Sequence, residues 1–411
     1  MRVVVLALVL LSFCSTARSE GVLAAFTVLG PDGAVARAVV DGAACPALVV
    51  DGRRVAMTVR AAADGRFPLI CDALLPAGAA SARLGDAALP VPKASIARIA
   101  LFGDSGCRVD ARSGEFQPCL DENAWPFART SATAAAEHPD LVIHVGDYLY
   151  RESPCPAGYQ GCAGSPAGDN WASWQADFFA PAALLLRAAP WVMVRGNHEN
   201  CNRAGLGFFR LLDPRPLPAE CPRISAVYRV NAGSLAFFVL DSGEANDATA
   251  PEALAAIYRA QFAGIDAPAG AWLLTHRPMW GVVRIKNAAG LSLLVNDNAT
   301  LQIASGNFLP RGIGLVLSGH IHLFEALGFA DHRAPQLVLG TAGSSLSDAI
   351  ATPLEGHEIG GTTIAFARTA QVFGVTEMTP SAQGWSVILH DQKDAVRFRC
   401  AIAAGAVSCR P

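Results

Sequence analysis

Short apolar runs, each cut off by polar or glycine-rich stretches, set the pattern of this 411-residue chain. Between positions 20 and 95 the runs VLAAFTVLG, PALVVDG and RRVAMTVRA are separated by Pro, Gly and Asp, with no long helical period. That spacing predicts a small N-terminal β-rich domain, with VPKAS at 91–95 as the linker. From position 96 the pattern changes. IARIALF, DLVIHV, WVMV, SLAFFVL, AWLLT, IGLVLS and QLVLG read as buried strands, with helices predicted near 123–137, 170–187 and 250–264. The last helix opens on Thr249-Ala-Pro-Glu252, which reads as a capping box with Pro in the first turn. FGVTEMT, WSVILHD and AVRFRC are expected to finish a second sheet. Such alternation predicts an α/β fold (an α+β sandwich) over residues 96–411, with two sheets packed together and flanked by helices.

The N-terminus changes the picture of where the chain works. Arg2, the run VVVLALVLL and then STARS read as a secretory signal peptide over residues 1–19, cleaved after Ala17 or Ser19. A secreted or periplasmic protein is therefore expected. Phe13 before Cys14 is too bulky for a lipoprotein signal, and no later stretch reaches about eighteen uninterrupted apolar residues, so no membrane span is expected. A formal net charge of −3 and the absence of a basic tract argue against a nucleic-acid-binding surface. Lys93, Lys286 and Lys393 are the only lysines, a bias that reads as genome composition. Beyond the leader the cysteines fall as neighbours: Cys45 and Cys71, Cys107 and Cys119, Cys155 and Cys162, Cys201 and Cys221, Cys400 and Cys409. No Cys-x2-Cys pair suggests a zinc site. Local disulfides are expected, although so many cysteines allow other pairings.

Five of the apolar strands end in the same way. IALFG runs into Asp104, VIHVG into Asp147 and Tyr150, WVMVRG into Asn197 and His198, AWLLT into His276, and LVLSG into His320 and His322. Carboxyl ends of strands in an α/β sheet share one rim, so these distant residues can converge. Glycines before four of them allow a sharp turn there. Imidazoles and carboxylates suit Zn, Mn or Fe, a phenolate favours a ferric ion, and a carboxylate can bridge two metals. In extended backbone His320 and His322 face the same side and can serve neighbouring metals.

The ordered set Asp-x-Gly, Gly-Asp-x-x-Tyr, Gly-Asn-His-Glu, His, Gly-His-x-His over 104–322 resembles the calcineurin-like metallophosphoesterases. Gly106 in the first motif and Tyr150 in the second place it nearest the purple acid phosphatases; other members have Asp-x-His where Gly106 stands. The resemblance implies one metal, usually Fe(III), on Asp104, Asp147, Tyr150 and His322. It implies a second, Zn, Mn or Fe(II), on Asp147 as bridge, Asn197, His276 and His320, with His198 facing the substrate phosphate. The implied function is hydrolysis of phosphate monoesters by a water that the metals activate. The alternative is a phosphodiesterase acting on nucleotides or glycerophosphodiesters with the same centre. The implied partner is a small phosphate ester. A disulfide-stapled binding protein with structural metals would show gaps in the ligand set, and there are none. Histidines that some members carry after the fourth motif are missing, since RPMWGVVRIKN follows His276. Of the remaining residues, His144 and Tyr148 read as packing, Glu199 as a support for the ligands and Asp241 as structural. Trp171 and Trp174 read as core, His138, His332 and His357 as surface, and the Asn298-Ala-Thr300 sequon as chance.

Overall fold

The strands Ile99–Phe102, Leu141–His144 and Trp191–Met193 are buried at every position, as their unbroken apolar runs require of parallel strands covered on both faces. The computed structural model, which describes residues 21–286, 290 and 292–410, places them side by side in register, with Leu101 beside Ile143 and Ile143 beside Val192. They form the centre of an eleven-stranded sheet. The strands Leu235–Leu240, Ala271–Thr275, Ile313–Ser318 and Gln336–Leu339 run parallel in the same way at the centre of an eight-stranded second sheet.

The sheets pack face to face. Leu101, Ile143 and Val192 from the first share one core with Phe237, Trp272, Leu274, Leu315, Leu317 and Leu337 from the second. Each such side chain contributes about 1.5–3 kcal/mol by leaving water. The outer face of the first sheet, at Phe102, Val142, Trp191 and Met193, is covered by the helices Phe127–Ala136, Ala183–Ala188 and Gly205–Leu211. Phe238, Leu240, Leu273 and Val316 on the second are covered by the helices Glu252–Ala263 and Ala299–Ser305. The fold is the helix-flanked two-sheet sandwich that the pattern predicts. Among the described residues no helix is long and apolar enough to cross a membrane. The leader at 1–19, with Cys14, lies outside the described residues.

Several details depart from the sequence reading. The C-terminal strands extend the first sheet, not the second, because Gly374–Ser381 pairs antiparallel with Ile99–Phe102 through Met378 and Ile99. Alternation marks a strand and its buried face, but says nothing of its neighbour. The strands of the N-terminal region divide. Val22–Gly30 joins the first sheet beside Trp191–Met193, carrying Gly33–Val40, Leu69–Leu74 and Thr58–Ala61 with it, while four short strands make a separate small sheet. The stretch at 170–187 is three pieces, Trp171–Trp174, a π-helical turn Gln175–Phe179 and Ala183–Ala188, with Pro181 between the last two. Thr249 does not cap its helix. Its N–H donates to Asn246 instead, at 2.8 Å, and Pro251 stands at the cap. Asn298 of the sequon is fully buried and caps Ala299–Ser305, accepting from Leu301 N at 3.0 Å.

Disulfides join Cys45 to Cys71, Cys107 to Cys119, Cys155 to Cys162, Cys201 to Cys221 and Cys400 to Cys409. Three of these brace loops that leave the first sheet at its carboxyl rim.

Candidate metal centre

The rim turns are made under strain. Asp104, Asp147 and His320 have φ of 59°, 61° and 69°, a left-handed conformation that costs a side-chain-bearing residue about 1–2 kcal/mol. The turn therefore falls largely on the candidate ligands themselves. Among the glycines expected to supply it, Gly196 matters through its missing Cβ, which would sit 2.1 Å from Asp147 Oδ1. Two buried acids hold the loops against this strain. Glu199 accepts backbone N–H groups from Asp147, Tyr148, Leu149 and Gly196 at 2.9–3.1 Å. Burial and then the Asp147 charge push its carboxyl up to about 8, while its N–H donors pull the other way. Asp177 ties the first two loops together by accepting from Cys107 N at 3.1 Å and Tyr150 N at 2.8 Å.

Seven of the expected ligands converge as two sets that share Asp147. In the first, the Tyr150 hydroxyl lies 2.9 Å from Asp104 Oδ1, 2.7 Å from Asp147 Oδ2 and 2.9 Å from His322 Nε2. In the second, His276 Nε2 lies 3.1 Å from Asp147 Oδ2 and 3.0 Å from Asn197 Oδ1. Donor atoms of Asp147, His276 and His320 all fall within 4.8 Å of one another. The outer nitrogens fix two of the rings. His276 Nδ1 meets Val145 O at 2.8 Å and His322 Nδ1 meets Ser345 O at 2.6 Å, so each proton points outward and Nε2 turns inward.

The electrostatics describe a site crowded with negative charge. Burial and then the Asp104 and Asp147 carboxylates push the Tyr150 phenol well above its usual range. Burial would raise Asp147 too, but His276 and His198 hold it well below the carboxylate range. Asp104 is likewise held low against burial, by His322. His276 is raised to about 9 because Asp147, beside it, outweighs its burial. Acids gathered at 0–1% exposure cost several kcal/mol unless cations compensate. With Asp147 shared, a carboxylate, a phenol and an imidazole on one side of it, and an amide and two imidazoles on the other, fit two such cations.

His198 stands beside this centre. Its N–H donates to Asp147 Oδ1 at 2.8 Å, its ring centroid lies 3.8 Å from that of Tyr150, and its Nε2 lies 3.8 Å from Asp147 Oδ2. Its Nδ1 is 2.5 Å from Glu152 Oε1 and 2.8 Å from Arg203 Nη2. Burial first, with Arg203 adding, lowers its pKa to about 4 against the pull of Asp147 and Glu152. His144 is a buried spacer whose Nδ1 accepts from Gly146 N at 3.1 Å and whose Nε2 meets Ser105 Oγ at 2.9 Å. Tyr148 stacks on it at 3.9 Å. Asp241 pairs with Arg195 at 2.9 Å, away from the donor sets. Trp174 is core, Trp171 is half-buried against Phe179, His138 and His332 are exposed, and His357 is half-buried.

Sequence reasoning missed Asp177, Glu152, Arg203 and Asp247. Asp177 had a signal, as an acid inside the apolar turn QADFF. The other three lie in loops with no strand-end pattern to mark them. Gly106 also gains a reason. A Cβ there would lie 2.7 Å from Tyr148 O, 2.8 Å from Tyr150 N and 2.9 Å from the Tyr150 ring, so this turn has no room for a side chain at 106.

The calcineurin-like phosphoesterase family model matches residues 97–324. A search of curated protein sequences finds no match for the chain. Among solved structures the chain is similar to a purple acid phosphatase from yellow lupin (Lupinus luteus) seeds, at 15% identity and a TM-score of 0.55, covering 92% of this chain and 74% of that one. It is also similar to the structure of PhoD, at 12% identity and a TM-score of 0.53, covering 97% of this chain and 94% of that one. At these identities the two likenesses show a shared fold.

Proposed function

The chain belongs to the calcineurin-like phosphoesterases, and from that premise we propose that it hydrolyses phosphate monoesters at a two-metal centre of the purple acid phosphatase kind. The observation that carries the proposal is the position of Asp147. Its Oδ2 lies 2.7 Å from the Tyr150 hydroxyl on one side and 3.1 Å from His276 Nε2 on the other. Two adjacent cations need a bridging carboxylate so placed. Asp104, Tyr150 and His322 would complete one site, where hard anionic oxygens favour Fe(III). Asn197, His276 and His320 would complete the other, suited to Zn, Mn or Fe(II). When bound, the cations supply acidification of a water and neutralisation of charge at phosphorus.

The chain's own side chains do the rest. His198, backed by Glu152, faces the phosphate and in its protonated form donates a hydrogen bond to it or a proton to the leaving oxygen. Arg108, whose guanidinium lies 4.7 Å from the Tyr150 ring centroid, adds positive charge where an anionic substrate must settle. The five disulfides support an oxidising compartment, so the protein is secreted or periplasmic once residues 1–19 are removed.

Metal analysis of purified protein, with rates on p-nitrophenyl phosphate and bis(p-nitrophenyl) phosphate, tests this reading. Two metals and faster monoester turnover are expected. Preference for the diester would replace the proposal by a phosphodiesterase, and protein with two metals bound but inert on both would overturn either one.

A further inference from the structure

His320 differs from the other two rim histidines in how its outer nitrogen is held. His276 and His322 each give Nδ1 to a backbone carbonyl and turn Nε2 inward. His320 is reversed. Its Nε2 lies 3.1 Å from Asp247 Oδ2, which leaves Nδ1 as the nitrogen available to the set formed with Asp147 and His276. Arg277 Nη1 is 2.8 Å from the same Nε2 and also contacts Asp247 Oδ2. Two N–H groups cannot donate to each other, so the arrangement is satisfied when both point at the Asp247 carboxylate. Asp247 Oδ1 in turn accepts from Asn298 Nδ2 at 2.7 Å, and Asn298 is fixed as a helix cap. The carboxylate is thus clamped by His320, Arg277 and Asn298. Asp297 Oδ2 is farther from Nε2, at 3.8 Å.

We propose that Asp247 is a positioning residue for the second metal, fixing His320 in the tautomer and orientation that present Nδ1 to the cation also held by Asp147, Asn197 and His276. The inference rests on the two-metal reading above. A carboxylate on the outer nitrogen of a ligating histidine both orients the ring and makes the inner nitrogen a stronger donor. The His320 backbone is already fixed, with its N–H on Asp104 Oδ2 at 3.0 Å, so the side-chain contact decides where the ring points.

The test is a zinc titration of the full, metal-stripped protein against a chromophoric chelator, which needs no ester substrate. Wild type should bind two equivalents. Asp247→Ala should weaken one of them about 10–100-fold and leave the other unchanged. Asp247→Asn, which keeps an acceptor oxygen, should recover most of the loss. The melting temperature of the metal-free variants separates this from loosening of the loop. A lower melting temperature with both zinc affinities intact makes Asp247 structural and overturns the proposal, and so does equal weakening of both equivalents. Selective weakening in a protein that hydrolyses no phosphate ester would leave the positioning role standing and the phosphatase reading fallen. A wild type that binds a single zinc leaves the first site to iron, and the same Asp247 variants are then read on that one equivalent; a wild type that binds no zinc overturns both.

Discussion

The two sheet rims that meet at the candidate centre contribute different chemistry and are built differently. The first-sheet rim gives Asp104, Asp147, Tyr150 and Asn197, all oxygen donors, two of them carboxylates. The second gives His276, His320 and His322, all nitrogen donors. Behind the first rim stand the Cys107–Cys119, Cys155–Cys162 and Cys201–Cys221 disulfides and the buried acids Asp177 and Glu199. Behind the second there is no disulfide, since no cysteine lies between Cys221 and Cys400. Its rings are set at their outer nitrogens, by Val145 O, by Ser345 O and, for His320, by Asp247 with Arg277 beside it. The contrast follows from charge. Left-handed backbone occurs on both rims, at Asp104, Asp147 and His320, but acids forced together out of water repel one another, so the loops of the first rim need bracing. A neutral imidazole needs only its outer N–H placed.

The two rims fail together at Asp147, whose Oδ2 faces both donor sets. Asp147→Ala should lose both metals and lower turnover by about 10⁴-fold or more, because both donor sets fail together. His276→Ala or Asp104→Ala should each release chiefly one metal. Elemental analysis beside monoester rates reads this, and an Asp147→Ala protein that retains two metals would remove the bridge. Next in size is His198→Ala. It should keep both metals and lower kcat by about 10²–10⁴, the weight of a positioned donor. Loss of metal in that variant would make His198 a ligand instead.

Both rims were legible in the sequence because strand ends, ligand residues and glycines coincide within a few positions, as in LVLSGHIH. What supports them was not. Glu152, Asp177 and Asp247 act on His198, the first two loops and His320 respectively, from segments whose own patterns predict only a loop or an apolar turn. Their partners are distant in sequence, and a single chain carries no sign of such pairing. The same limit explains the C-terminal strands. Their alternation is plain, but joining Met378 to Ile99 is a long-range choice made by which sheet edge lies open. The motif glycines divide: Gly146 has the positive φ of 102° that a sharp turn requires, whereas Gly196 is needed for space beside Asp147 Oδ1.

Tyr150→Phe removes one oxygen from the first rim and nothing from the second. The phenol sits among Asp104, Asp147 and His322, where a ferric ion would take it as phenolate and absorb visible light. Iron-loaded wild type should be violet or pink, and the variant colourless, folded, and partly active with a divalent ion in the first site. Colourless, fully active wild type with two equal divalent ions would reduce the purple assignment to the broader family reading.

The smallest effect should come from the bracing, and it separates the rims from the rest of the molecule. The Cys107–Cys119 loop, of separation 12, follows Asp104 directly, whereas Cys400–Cys409, of separation 9, joins neighbouring strands at the far edge of the first sheet. Loop-closure entropy gives each a stabilisation of about 2–3 kcal/mol, so replacing either pair by serine should lower the melting temperature by similar amounts. Their effects on the centre should differ. Cys107 N donates to Asp177, whose other oxygen holds Tyr150 N, so freeing that loop loosens the backbone that aims Asp104 and the phenol. The Cys107→Ser/Cys119→Ser protein should therefore release the first-site metal to a chelator several-fold faster than wild type, with the second-site metal unchanged. Cys400→Ser/Cys409→Ser should release both at the wild-type rate despite its equal loss of stability. If the two double variants release metal alike, the staples stabilise the fold in general, and the acidic rim is held by Asp177 and Glu199 alone.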